Sequence, residues 1–281
     1  MNQKLGNETA SDPIGIFDSG VGGLTVAREV FNLLPYEHVV YFGDVGRSPY
    51  GGRSREIITQ FTIQDVAFLQ EHKVKYIICA CNTVSAVAFD EVQKKYNIPM
   101  IGVISPGAKA AVAQTKNGRI GVIGTHATIN SDAYAKTIRE LNPSLKVFSL
   151  ACPLFVPLAE EGYIDQEATY LIAKDYLQTM HDVGIDTLIL GCTHYPLLRK
   201  VIADVMGDKV TLIDSGQETA RVAQSVMQEK NLLRNENEGS GKRNGEHQYF
   251  VSDVPEKFSQ VASRFLGRLV DRITRVDISR Y

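Results

Sequence analysis

Two short segments of this chain have almost the same composition and the same punctuation. Ile77-Ile78-Cys79-Ala80-Cys81-Asn82-Thr83 and Leu188-Ile189-Leu190-Gly191-Cys192-Thr193-His194 each carry an apolar stretch into a cysteine followed by small polar residues, and the cysteines lie 111 residues apart. A short apolar run that stops at polar residues reads as a buried strand ending at a surface. Such a strand, used twice, restricts the chain to folds in which two strand ends can meet. It also suggests a single site with a sulfur on each side.

The rest of the sequence fits that restriction. Short apolar runs at Ile14–Phe17, Val39–Phe42, Lys75–Ala80, Met100–Ile104, Arg119–Ile123, Lys146–Leu150, Thr187–Leu190 and Val210–Ile213 read as strands. Between them lie stretches of helical period, such as Ile57, Ile58, Phe61, Val66 and Leu69. Strands that are apolar throughout and alternate with helices predict a parallel sheet covered on both faces. In such sheets, sites form beyond the carboxyl ends of the strands. The pattern also starts twice: Gly15-Ile16-Phe17-Asp18-Ser19-Gly20 is answered by Gly121-Val122-Ile123-Gly124-Thr125, an offset of 106 residues. We read two similar α/β domains with a site between them; one eight-stranded sheet is the alternative. A further β–α unit is expected at His247–Val251 and Pro255–Leu266. The polar first twelve residues read as a disordered extension, and the Gly/Asn-rich segment 234–246 as a flexible loop.

Composition excludes some partners. With a net charge of −2 and no Lys/Arg-rich run, the chain lacks the clustered positive charge that nucleic acid requires. No apolar run reaches the roughly 18 residues that span a bilayer. The amino-terminal residues lack the apolar core of an export signal, which predicts a cytoplasmic setting and free thiols for Cys79, Cys81, Cys152 and Cys192. A free cysteine often acts only as a small buried hydrophobe. Cys79 and Cys152 suit that role better than Cys81 and Cys192, where apolar strands turn polar.

Helices are expected to start just after both strand ends, near Val84 and Pro196, and a helix N-terminus favours the thiolate. His194, two residues from Cys192, is placed to assist it. Cys79, Cys81, Cys192 and His194 make a conceivable zinc set, but a C-x-C inside an apolar strand matches structural zinc spacing poorly. A cysteine hydrolase built on Cys192 and His194 would leave the second cysteine strand without a role.

The turn Asp18-Ser19-Gly20-Val21-Gly22-Gly23 leads from a strand into a helix, a place where backbone N–H groups bind anions. With Asp44 ending the next strand it suggests a dinucleotide, although Thr25 stands where the fingerprint needs its last glycine. An amino-acid ligand fits better, with Asp18 near its ammonium group and the turn near its carboxylate. In the loop 43–53, Arg47 and Arg53 are candidates for holding a carboxylate.

These residues carry a resemblance. With IGIFDSGVGGLTV at 14–26, PYG at 49–51, CNT at 81–83, CPLFVPLAEEG at 152–162, LGCTHYPLL at 190–198 and LIDSG at 212–216, the chain resembles the glutamate racemases of the cofactor-independent aspartate/glutamate racemase superfamily. It departs from that pattern at Val45, Gly46, Ser48 and Cys79. The resemblance implies an isomerase that interconverts L- and D-glutamate without a cofactor or metal and supplies D-glutamate for peptidoglycan. It implies Cys81 and Cys192 as the two acid/base residues, with substrate contacts from Asp18, Ser19, Tyr50, Gly51, Asn82, Thr83, Thr193 and His194. Asp18 and His194 would assist proton transfer, and Glu160 or Glu161 would be an auxiliary acid. It further implies a homodimer and two α/β domains, 13–107 with 217–281 and 108–216, with the active site at their interface.

Overall fold

The apolar runs fold into two parallel sheets. The computed structural model describes residues 9–234, 245–270 and 272–281. In chain order its strands are β1 (Ile14–Asp18), β2 (Val39–Gly43), β3 (Tyr76–Cys79), β4 (Met100–Gly102), β5 (Arg119–Gly124), β6 (Lys146–Ala151), β7 (Thr187–Gly191), β8 (Thr211–Asp214), β9 (His247–Val251) and β10 (Ile273–Arg275). The first sheet has the order β10-β9-β2-β1-β3-β4 and the second β6-β5-β7-β8, with every pairing parallel.

The internal repeat is visible in that order. The run β2-β1-β3-β4 has the same connectivity as β6-β5-β7-β8, so β3 corresponds to β7. In each sheet the chain crosses to one side of a central strand and then to the other. This leaves a crevice beyond the carboxyl ends of the central pair. Phe17 pairs with Cys79 in the first sheet and Gly124 with Gly191 in the second, so Cys81 and Cys192 emerge at corresponding places.

Burial explains why these sequences form central strands. Every residue of β1, β2, β3 and β7 is buried, which requires side chains that are apolar toward both faces. Ile14 and Ile16 enter one core with Leu24, Val26 and Val30, whereas Phe17 enters the other with Ile58, Val66 and Leu69. After β8 the helix Ser215–Glu229 sends Ala220, Ala223 and Met227 into the first sheet's core, and β9 then joins β2.

The structure refines these expectations. The chain forms two sheets, which removes the alternative of one eight-stranded sheet. The sheets are unequal, because β9 and β10 extend only the first. β10 was not anticipated. Of the expected extension, residues 9–12 form a turn in which the Thr9 N–H donates to Asp12; residues 1–8 lie outside the described residues. The expected loop 234–246 also falls outside them except at its ends. There Arg234 N–H donates to the Glu37 carboxylate and Gly245 N–H to the Pro35 carbonyl, both at 2.8 Å. Among the described residues no helix is long and apolar enough to cross a membrane.

Candidate active site

A cavity of about 450 Å³ lies at the carboxyl ends of both sheets. The first sheet's side contributes Ser19, Tyr50, Gly51, Cys81, Asn82 and Thr83; the second contributes Glu160, Cys192, Thr193 and His194. Ten of the eleven candidate residues are therefore brought together. Asp18 is the exception. It is buried behind the cavity wall at the end of β1, with Oδ2 accepting the Gly20 N–H at 2.9 Å and Oδ1 without a hydrogen-bond partner among the described residues.

The turn after β1 brings the two sheets into contact. A Cβ on Gly22 would stand 2.2 Å from Thr193 Oγ1 and 2.5 Å from the His194 ring. The glycine thus lets the turn meet the second sheet's loop, rather than opening room for a phosphate. Three further bonds cross the same boundary. Thr25 Oγ1 donates to the Thr193 carbonyl at 2.8 Å, Thr83 and Thr125 share a hydroxyl contact at 3.1 Å, and the Tyr134 hydroxyl donates to Asn82 Oδ1 at 2.7 Å. The last bond orients the Asn82 amide and leaves Nδ2 without a partner among the described residues, an available donor on the cavity wall.

The two thiols have different neighbours. Cys81 caps the helix Asn82–Val87, and its Sγ lies 3.4 Å from Ser19 Oγ. Burial pushes its pKa up to about 12, the charge of Asp18 adds to that, and the Ser19 hydroxyl opposes it. The expected thiolate-favouring effect of the helix start is therefore overridden: desolvation outweighs one short helix. Burial likewise raises the Asp18 carboxyl, which His194 partly offsets.

Cys192 Sγ lies 3.8 Å from His194 Nδ1, and His194 Nε2 lies 2.9 Å from Glu160 Oε1. Burial alone would depress His194, but its bonds to Cys192 and Glu160 override this and lift it to about 10. One wall thus carries a protonated thiol beside a carboxyl and a hydroxyl, and the other a thiol beside an imidazolium. Of the two adjacent glutamates, it is Glu160 that reaches the histidine.

Other side chains have been diverted. Arg47 does bind carboxylates, but they are those of Asp44 and Asp65, and its guanidinium lies 4.0 Å from the centre of the Phe61 ring. Asp44 is fully buried in that network, so it cannot serve as a ribose acid. Arg53 is exposed, and neither arginine lines the cavity. The Tyr50 hydroxyl is spent on Asp44 and Asp65, so only its ring and backbone remain for the cavity. Cys79 faces the core, where Ser85 Oγ donates to its sulfur at 3.3 Å, and Cys152 is also fully buried. Among the described residues no group of three or more His, Cys, Asp or Glu side chains is arranged to hold a metal ion.

Sequence reasoning missed one wall entirely. Val156 and Pro157 on one side and Phe258 and Val261 on the other close the cavity with apolar surface. Nothing local in those residues indicates it, because the two helices meet only in the folded chain.

Two parallel sheets that each deliver a thiol to one cavity are an arrangement suited to the amino-acid racemase class. The comparisons agree. The family model described as Asp/Glu/Hydantoin racemase matches residues 40–223. Glutamate racemase of Geobacter metallireducens is 49% identical over 265 residues, covering 94% of this chain and 96% of its own. The crystal structure of Francisella tularensis glutamate racemase in complex with D-glutamate superposes with a TM-score of 0.88 at 41% identity, covering 97% of this chain and 100% of that one. A glutamate racemase isoform from Bacillus anthracis gives 0.89 at 42% identity, over 95% and 97%. The chain belongs to the glutamate racemases, isomerases of the Asp/Glu/Hydantoin racemase family.

Proposed function

We propose that this chain interconverts L- and D-glutamate by a two-base mechanism in which Cys81 and Cys192 act on opposite faces of the substrate Cα. The observation that supports this best is the delivery of one thiol from each sheet to a single cavity, in unlike electrostatic settings. Racemisation removes the Cα hydrogen as a proton and returns a proton to the other face. A single base would have to cross the substrate plane, whereas two fixed groups need not move. One must be thiolate while the other is thiol. The roles exchange with direction, Cys192 taking the proton from L-glutamate and Cys81 from D-glutamate.

The unlike surroundings suit that division. In the L-to-D direction Cys81, beside Asp18 and Ser19, gives a proton, and Cys192, beside protonated His194, takes one, with Glu160 stabilising the imidazolium. A positioned acid or base contributes about 10²–10⁴-fold. The carbanion-like charge at Cα must be met by preorganised donors to the α-carboxylate in a closed site. The Asn82 amide and the backbone N–H groups of Ser19, Gly51, Thr83 and Thr193 fit that need.

The same proposal includes D-glutamate supply for peptidoglycan, a homodimer, a cytoplasmic setting, and the division into 13–107 with 217–281 and 108–216. The direct test is circular dichroism of L-glutamate solution incubated with the purified chain and no added cofactor. The signal should decay to zero as the enantiomers equalise. A constant signal with folded protein contradicts the proposal.

A further inference from the structure

The helix Pro255–Leu266 runs along the mouth of the cavity. Phe258 and Val261 line it, and one turn further Phe265 sets its ring edge against His194, with centroids 5.3 Å apart and planes at 86°. These three positions share one helix face. Their neighbour Arg264 turns instead toward the helix Phe155–Glu160, which belongs to the second sheet. Arg264 Nη1 donates to the Glu160 carbonyl oxygen. The guanidinium lies over Gly162, where an added Cβ would stand 2.8 Å from Cζ. Gly162 also has φ +78°, which favours glycine there. Ala159 packs into the same core as Phe258, Ala262 and Phe265.

This contact addresses a weakness in the site. The Glu160 side chain is 41% exposed. A half-exposed carboxylate on the last residue of a six-residue helix has rotamer freedom to lose, and an exposed ion pair offsets little of that loss. The carbonyl groups in the last turn of a helix have no partner within it, and Arg264 takes the one at Glu160. Fixing that peptide from outside fixes the origin of the side chain that reaches His194.

We propose that Arg264 is a positioning residue for the Cys192 side of the reaction. By clamping the Glu160 peptide from across the cleft, it holds Glu160 Oε1 on His194 Nε2 and thereby His194 Nδ1 on Cys192, while Phe265 blocks the imidazole from turning away. The titratable groups beside that imidazole are Cys192, Glu160 and Asp18, and Arg264 acts on it through the Glu160 peptide. Arg264 follows β9 of the first sheet, and Glu160 follows β6 of the second. The clamp therefore closes only when the two halves meet. The Cys192 side is assembled by closure, whereas Cys81 takes Ser19 and Asp18 from its own sheet. The proposal rests on the two-thiol reading of the site.

The test is alkylation of the full chain by iodoacetamide at neutral pH, with Cys81 and Cys192 followed separately by peptide mass spectrometry. In Arg264→Ala alkylation at Cys192 should slow about tenfold, as expected when a cysteine loses a well-placed cation, and Cys81 should keep its rate. The same variant should lose about tenfold in kcat with little change in KM, the pattern of a misplaced acid–base group. Arg264→Lys, which keeps one donor for the carbonyl, should recover most of both effects. Gly162→Ala pushes the guanidinium away from the other side and should act like Arg264→Ala; it provides the test if that variant fails to fold. An unchanged Cys192 rate, an equal slowing at Cys81, or a lysine variant no better than alanine overturns the proposal. Alkylation needs no turnover, so an inactive wild-type chain would count against the racemase reading and not against this one.

Discussion

Cys81 and Cys192 occupy the same place in two copies of one β–α pattern, yet they sit among opposite charges. Cys81 faces a hydroxyl and a carboxyl from its own sheet, whereas Cys192 faces an imidazole held by Glu160. The repeat decides where each sulfur goes, because a strand end is fixed by sheet register. The side chains added around each copy decide what each sulfur faces. Position is therefore duplicated while surroundings are not, and the proposed two-base reaction on one carbon would use that combination.

The largest expected effect tests whether both sides are needed. Cys81→Ala and Cys192→Ala should each cost at least about 10³-fold in racemisation, since each removes a positioned acid or base. Near-normal turnover in either variant would break the comparison.

A smaller effect tests the charge difference. In the folded chain His194 is lifted from 6.5 to about 10. It keeps its proton over that interval while the unfolded chain loses it. Its stabilising share is whole below about pH 6.5 and is lost as pH rises toward about 10. Cys81, lifted from 9.0 to about 12, adds a second loss only above pH 9. Between those onsets, the melting temperature of the wild type should fall with rising pH more steeply than that of His194→Asn. Equal slopes would mean that folding adds no proton to His194 and Cys192 taken together.

The smallest effect concerns the two remaining thiols. Cys79→Ala and Cys152→Ala should keep turnover within about twofold and lose about 1 kcal/mol of stability, the cost of trimming a small buried side chain.

Much of this was legible in the sequence because it is local. The strand runs from Ile14 to Ile213 and the helix Pro255–Leu266 follow from apolar period, and the cysteine pair follows from where strands turn polar. β10 was not legible: Ile273-Thr274-Arg275 is three residues with one apolar side chain, and pairing with β9 makes it a strand. Arg47 has the look of a substrate clamp until Asp65, eighteen residues on, is seen to consume it. The acidity of Cys81 is hidden from the sequence because burial and Asp18 act through space, while the helix start is visible along the chain. Arg264 and Phe265 gave no signal, since their partners Glu160, Gly162 and His194 come from the other half of the molecule.

The central claim is that the proton leaves one face of Cα to one sulfur and a different proton arrives from the other sulfur. It is tested by running L-glutamate through less than one-tenth of its conversion in deuterium oxide and analysing both enantiomers. Two opposed thiols predict deuterium at Cα in essentially all of the D-glutamate and almost none in the recovered L-glutamate. D-glutamate that retains the substrate hydrogen, or equal labelling of both enantiomers, would contradict the account.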